Sequence, residues 1–496
     1  MTIVAMTTMV RTIARPAGAT VAAGAVTGVV LGLGIVKLGV FLPVALVGLA
    51  ACWALLWRPA VTLALLVCSA VVFEDTVGAI LTVDRWYEGL PKIFLGPTDI
   101  LAFVLLGGVL LEIAREHDAA RLTGPFTPAI LLLAVATVAG LVTGRSAGAA
   151  PMAIFPQIRP LIFFVVLVPL AGYVLSKHER WRTALTLAAV LIPLKAATGL
   201  LTRLYGGELA AGQDPVTFYE PTMNLLMVLF LLTVTAAGIR KVHLSRWIWL
   251  SVPVVTLSLL LSFRRSFWVA AILGLVLVTM IAAGRRSRPY VVLGLFAVAL
   301  ALWAAVTMGG STDSTNPIID RAESLSPTRI RANSGDRYRL EEQRNVVAEI
   351  KAQPLNGLGL GIPWTQRYYV SESHPGGRYY SHVTPLWYWL KLGPLGVIAY
   401  FWLAGLAVVV GYHRFRRSRD PVVAIVGLAI AAGWVGLVLA ELTGPFSGID
   451  FRLTIVVACA MGWLTATGAT TRPSTAEGPD NTMADYPMAD YPMARR

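Results

Sequence analysis

The sequence predicts an all-α, polytopic integral membrane bundle of about 12–14 transmembrane helices with one large, partly helical extracytoplasmic loop. Three observations predict it. Of the 496 residues, 56% are hydrophobic and 14% charged, which is oilier than ordinary soluble domains. The apolar residues gather in runs near the roughly 20 residues that a bilayer-crossing helix needs. The net charge of +14 collects in short connections between those runs. Disorder is excluded, because it requires low hydrophobicity. Nucleic-acid binding is excluded as well, because a basic domain of that kind is not this apolar. Cys52, Cys68 and Cys459 all lie inside apolar runs, so the sequence offers neither a disulfide framework nor a metal-ligand spacing.

Residues 1–18 form a short basic segment (Arg11, Arg15), and no small-residue cleavage site marks a signal peptide, so the first helix is expected to stay uncleaved. A transmembrane bundle over 19–307 then has candidate spans near 19–36, 39–57, 59–73, 97–114, 126–143, 160–176, 183–202, 222–239, 247–262, 266–283 and 290–307. Only Lys37-Leu38-Gly39 separates the first two, and the third is short enough to be re-entrant. Three further spans, near 384–411, 421–440 and 452–468, make a C-terminal group over 384–468. With the N-terminus placed in the cytoplasm, the inside loops carry 18 Lys and Arg against five acids, while the short outside loops balance nine against nine. The positive-inside trend therefore predicts a multi-pass protein of the inner (plasma) membrane with both termini cytoplasmic. The tail 469–496 is rich in Pro and polar residues, repeats Met-Ala-Asp-Tyr-Pro, and reads as disordered.

The outside segment 308–383 is far longer than an ordinary connection and holds nine cations and eight acids. Its stretch Asp336–Gln353 reads as an amphipathic helix with Leu340, Val347 and Ile350 on one face. Pro354 stops that helix, and Asn356-Gly357 followed by Gly359 and Gly361 predicts a flexible turn. The whole segment is expected to fold as a small cap over the outer face.

Several charges run against the topology trend. Arg264-Arg265 sits in a tight outside turn within Leu-Ser-Phe-Arg-Arg-Ser-Phe-Trp, residues 261–268. Two planar guanidiniums at the end of a hydrophobic wall match a phosphate, and at that depth the phosphate belongs to a lipid head group or a lipid-linked sugar diphosphate. Snorkelling to the head-group layer is the plainer reading. Arg145, Arg159 and Arg203 could join them or act as anchors. Lys195 and Lys391 fall within spans, where a charge is a functional candidate unless packing near a helix end explains it. Asp99 reads as a helix N-terminal acid. Of the loop histidines His374 and His382, His382 directly precedes a span and suits removal of a proton from a hydroxyl nucleophile. Glu372 beside His374 matches no strong metal motif. Trp364, Tyr368, Tyr369, Tyr379, Tyr380 and Trp387 form either a sugar-stacking surface or an interfacial belt.

Three segments resemble the O-antigen ligase and polymerase superfamily of membrane glycosyltransferases. Ser262-Phe263-Arg264-Arg265-Ser266 is similar to that family's Ser-x-Ser-Arg-Gly type turn. Arg339 through Gly361 resembles its Arg, amphipathic helix, Pro and Gly-x-Gly-x-Gly run. His382 to Gly396, with Gly393 and Gly396 at +11 and +14 from the histidine, is similar to its His-Asn, apolar helix and Gly pair. Val383 stands where the family usually has Asn, Gln343 where an aromatic is common, and Lys391 where an acid is common. The resemblance implies an inverting, metal-independent and cofactor-free transfer of a glycan. The donor would be a polyprenyl diphosphate and the acceptor a hydroxyl on a glycan, lipid or protein. It implies that Arg264 and Arg265 hold the diphosphate and His382 acts on the acceptor hydroxyl. Arg339, Arg159, Arg203, His374 and Tyr380 would bind substrate. The rival expectation is a transporter or channel without covalent chemistry, which would show two related halves with helix breaks and polar residues near the midplane. No internal repeat is visible, and the polar residues concentrate at the outer surface instead.

Overall fold

The computed structural model describes residues 41–73, 96–177, 180–205, 221–284, 334–370, 377–444 and 447–469. The regular elements among them are all helical. They are α1 (Phe41–Leu56), α2 (Pro59–Val72), α3 (Pro97–Glu116), α4 (Thr127–Ser146), α5 (Pro151–Ser176), α6 (Arg180–Tyr205), α7 (Pro221–Arg240), α8 (Arg246–Leu260), α9 (Arg265–Ala282), α10 (Ser334–Ala352), α11 (Thr384–Arg417), α12 (Pro421–Ala440) and α13 (Phe451–Ala469). Nine of these are long and apolar enough to cross a membrane. The expected spans 39–57 and 59–73 become α1 and α2, which bend by 117° at their junction and together make at most one span. The ninth expected span is the shorter α8. The expected spans 19–36 and 290–307, the segment 1–18 and residues 470–496 lie outside the described residues. The chain is a multi-pass helical membrane protein.

Proline opens many of these helices. It stands at the first or second position of α2, α3, α4, α5, α11 and α12, where its missing N–H costs nothing and its fixed φ already suits the helix. Asp420 caps α12 by accepting from the Val422 and Val423 amides at 2.8 and 3.3 Å. Close approach relies on glycine: a Cβ on Gly462 of α13 would lie 2.8 Å from the Gly172 nitrogen of α5, so the two backbones meet directly.

The ends of the bundle differ in character. At one end Lys177 contacts both Glu112 (3.1 Å) and Glu116, and Arg182 meets Asp420 at 3.0 Å. The cation-rich loops counted together in the sequence thus converge. At the opposite end α10 packs beside the start of α11, and this end is termed the cap end below.

The cap corrects two expectations. The helix forms where it was expected, but its buried face is Tyr338, Glu342, Asn345, Val346, Glu349 and Ile350, while Leu340 is exposed. The face is set by three buried polar residues as much as by apolar ones. The segment after Pro354 is pinned rather than flexible. Pro394 supplies no amide to the carbonyl four residues before it, that of Leu390. That oxygen accepts instead from the Leu358 amide at 2.6 Å. Leu360 N donates to Gly140 O at 2.9 Å, Gly361 N to Gln157 Oε1 at 3.2 Å, and the Lys391 ammonium to Ile362 O. Gly357, Gly359 and Gly361 all have positive φ (61°, 82° and 80°), and a Cβ on Gly359 would lie 2.2 Å from the Gly144 nitrogen. Only glycine fits that backbone at that distance. The buried Lys391 is therefore accounted for by packing. Lys195 likewise donates to Val72 O at 2.9 Å, at the end of α2.

Candidate active site

Three chain segments lie at the cap end. The first is the turn between α8 and α9. Ser262 Oγ donates to Leu259 O at 2.7 Å, and Trp268 Nε1 donates to the same oxygen at 3.0 Å. Phe263, buried between them, adopts a left-handed φ of 51°, which a bulky side chain rarely takes. This strained reversal makes Arg264 the N-cap of α9 and Arg265 its first residue. Cations at a helix N-terminus work against the helix dipole, so the sequence stacks positive potential on positive potential there.

The second segment is the end of α12. Gly436 lets it close on α9, since a Cβ there would lie 2.8 Å from Ala270 O. That contact is five residues before Glu441 on one helix and five after Arg265 on the other, so Arg265 and Glu441 lie at the same end. Glu441 is buried, accepts from the Tyr400 hydroxyl and, at 2.8 Å, from the Ser447 amide. Burial pushes its carboxyl up from the ordinary carboxylate range. Its backbone carbonyl accepts from Thr384 N at 2.9 Å.

The third segment is His382, two residues before Thr384. Glu342 of α10 holds it at two points: Oε1 accepts from the His382 amide at 2.8 Å, and Oε2 lies 2.5 Å from Nδ1. Glu342 is buried and the His382 side chain is 27% exposed. A carboxylate only accepts, so Nδ1 is the donor of this pair, and in a neutral imidazole the lone pair then sits on Nε2. Tyr338, one turn before Glu342, packs edge-on to the imidazole with centroids 5.7 Å apart. Arg339 is half-buried on the same turn of α10. Ser381 Oγ accepts from the Val383 amide at 3.2 Å.

The remaining candidates separate. Arg159 forms a two-point pair with Asp99, Nε to Oδ1 at 2.7 Å and Nη2 to Oδ2 at 2.6 Å, with Thr98 Oγ1 at 3.1 Å. Its guanidinium stacks 4.0 Å from the Phe451 ring. Asp99 also accepts from Gly96 N at 2.6 Å, so it is both the expected N-terminal acid and an ion-pair partner. Arg145 donates to Ala149 O at 2.6 Å. The Arg203 side chain, His374 and Glu372 lie outside the described residues. Of the loop aromatics, Trp364 and Trp387 are core residues, Tyr379 and Tyr380 are half-buried, and Tyr368 and Tyr369 are exposed. Burial raises the Tyr380 phenol above its ordinary value. Sequence reasoning missed Glu342. Its signal was present: acids and an amide at 342, 345 and 349 recur on the face where an amphipathic helix should be apolar.

Residues 248–401 match a family model described as O-antigen ligase. The stretch contains Arg264, Arg265, Arg339, Glu342 and His382. No curated protein matches the chain. The family match supports the O-antigen ligase-like superfamily and a ligase- or polymerase-like role in polysaccharide assembly.

Proposed function

We propose that the chain transfers a glycan from a polyprenyl-diphosphate donor to an acceptor hydroxyl at the cap end, on the outer face of the plasma membrane, with inversion at the sugar carbon. The observation that carries this reading is the two-point hold of Glu342 on His382. It would hold the imidazole with Nε2 available as a base, at the same end as the Arg264-Arg265 turn.

The chemistry needs three things from the protein. His382 Nε2 takes the proton of the acceptor hydroxyl as its oxygen attacks the anomeric carbon, and Glu342 stabilises the imidazolium that results. The bond from the anomeric carbon to the diphosphate oxygen breaks, and its electron pair leaves with the diphosphate. Arg264 and Arg265, with the N-terminus of α9 behind them, meet that growing negative charge from fixed positions. Arg339 adds a donor from the cap. Arg159, already paired with Asp99, would support the head group from the side, with Arg203, His374 and Tyr380 as further substrate contacts.

The test is to replace His382 and Arg265 singly by Ala in producing cells, following surface glycan and its lipid-linked precursor. Each variant should be present at normal levels, lose transfer by about 10²-fold or more, and accumulate the precursor. Unaltered surface glycan in both variants would overturn the assignment.

A further inference from the structure

A cavity of about 560 Å³ lies at the end away from the cap, among α2, α5, α6, α7, α12 and α13. Its size falls within the roughly 300–1,000 Å³ usual for small-molecule sites. The wall is apolar, with Val71, Ala188, Phe230 and Val456 among its residues, and Arg180 and Trp463 close one end. The Arg180 side chain is 27% exposed there. Among the described residues Arg180 meets Glu112 at 3.8 Å, and Glu112 is shared with Lys177 at 3.1 Å. Leu244 also lines the cavity, and its loop exposes Lys241 and Arg246, followed by the exposed Trp247 and Trp249. Cations beside tryptophans at the end of an apolar groove are the pattern of a head-group layer.

We propose that this cavity is a site for an anionic phospholipid, with one acyl chain along the apolar wall and the head group against the exposed part of the Arg180 side chain. An apolar groove alone would accept any lipid tail. The partly exposed Arg180, with Lys241 and Arg246 exposed around Leu244 of the cavity wall, selects a negatively charged head. The site is separate from the transfer chemistry at the cap end, so either reading stands if the other fails.

The full-length protein, delipidated in a neutral detergent, is titrated with dioleoyl phosphatidylglycerol and separately with dioleoyl phosphatidylcholine, and its thermal unfolding is followed. A lipid that binds the folded state raises the midpoint in a saturable way. Phosphatidylglycerol should do so and phosphatidylcholine should not. Arg180→Ala should raise the half-saturating phosphatidylglycerol concentration by about tenfold. Ala188→Phe fills the cavity, leaves every charge in place, and should abolish the response. Native mass spectrometry of the unaltered protein with both lipids at equal concentration should show phosphatidylglycerol retained preferentially, a readout independent of either variant. Equal response to the two lipids would overturn the proposal, as would an unchanged response in Arg180→Ala or Ala188→Phe.

Discussion

Two places at the cap end are built from the same parts. At each, a buried carboxylate grips a nitrogen base at two points and an aromatic ring lies against the base. Asp99 grips Arg159, which stacks on Phe451. Glu342 grips His382, which meets the edge of Tyr338. The difference lies in what the grip consumes. Asp99 takes two arms of the guanidinium, and Arg is never deprotonated, so the pair ties α3 to α5 as a fixed ion pair. Glu342 takes the backbone amide and one ring nitrogen of His382 and leaves the other ring nitrogen to the proposed chemistry. The same electrostatics anchors helices in one place and orients an imidazole ring in the other.

The largest expected effect that would break this contrast is at Glu342. Glu342→Gln puts an amide opposite Nδ1 and removes the acceptor that fixes the tautomer. It should lower kcat for transfer by about 10²–10⁴-fold, by analogy with carboxylate removal from a catalytic triad. KM should change little. Transfer assays with purified protein check this, and a merely structural Glu342 would lower folded yield without moving kcat of the folded fraction.

Next in size is Asp99→Asn, which strands the Arg159 charge in a site where the two side chains are only 11% and 4% exposed. Losing one member of a buried pair costs about 3–5 kcal/mol. The midpoint of thermal unfolding should fall, and the double variant Asp99→Leu with Arg159→Met should recover much of it. Transfer per folded molecule should hold in Asp99→Asn if the pair is an anchor, and should drop in the double variant if Arg159 also contacts the donor.

The smallest effect is expected at Tyr338. Tyr338→Phe keeps the ring edge against His382 and should leave transfer within about twofold, since such aromatic contacts are worth about 0.5–1.5 kcal/mol. Tyr338→Ala removes the ring and should cost about 3–10-fold on the same scale. Together the two variants separate ring packing from the phenol hydroxyl.

Much of the fold was legible because a bilayer imposes simple rules. Apolar runs marked the helices, cation-rich connections converged on one end, and the cap helix appeared at 334–352 where a 3.6 period placed it. The turn carrying Arg264 and Arg265 stood out because two charges in a short apolar reversal need a reason. His382 stood out for its position just before a helix. The face of the cap helix was misjudged because Leu340 and Val347 count as apolar in any periodicity, whereas Glu342, Asn345 and Glu349 earn their burial only through partners. Asn345 accepts from the Arg367 and Tyr368 amides at 2.7 Å each, and Glu349 from the Thr365 amide at 3.3 Å. Those partners lie 16–23 residues away in the chain, beyond the reach of any local pattern.

The sequence by itself determined the class and most of the described spans, and it singled out candidates to meet a diphosphate or a hydroxyl, because hydrophobic length and charge placement are local properties that the membrane reads directly. Only the tertiary structure decided which charges are already spent. Arg159 and Lys391 are committed to Asp99 and Ile362, Glu342 is turned inward onto His382, and the glycines of 357–361 thread between helices. A side chain's chemistry depends on which partner satisfies it, and in a buried site that partner comes from a distant part of the chain.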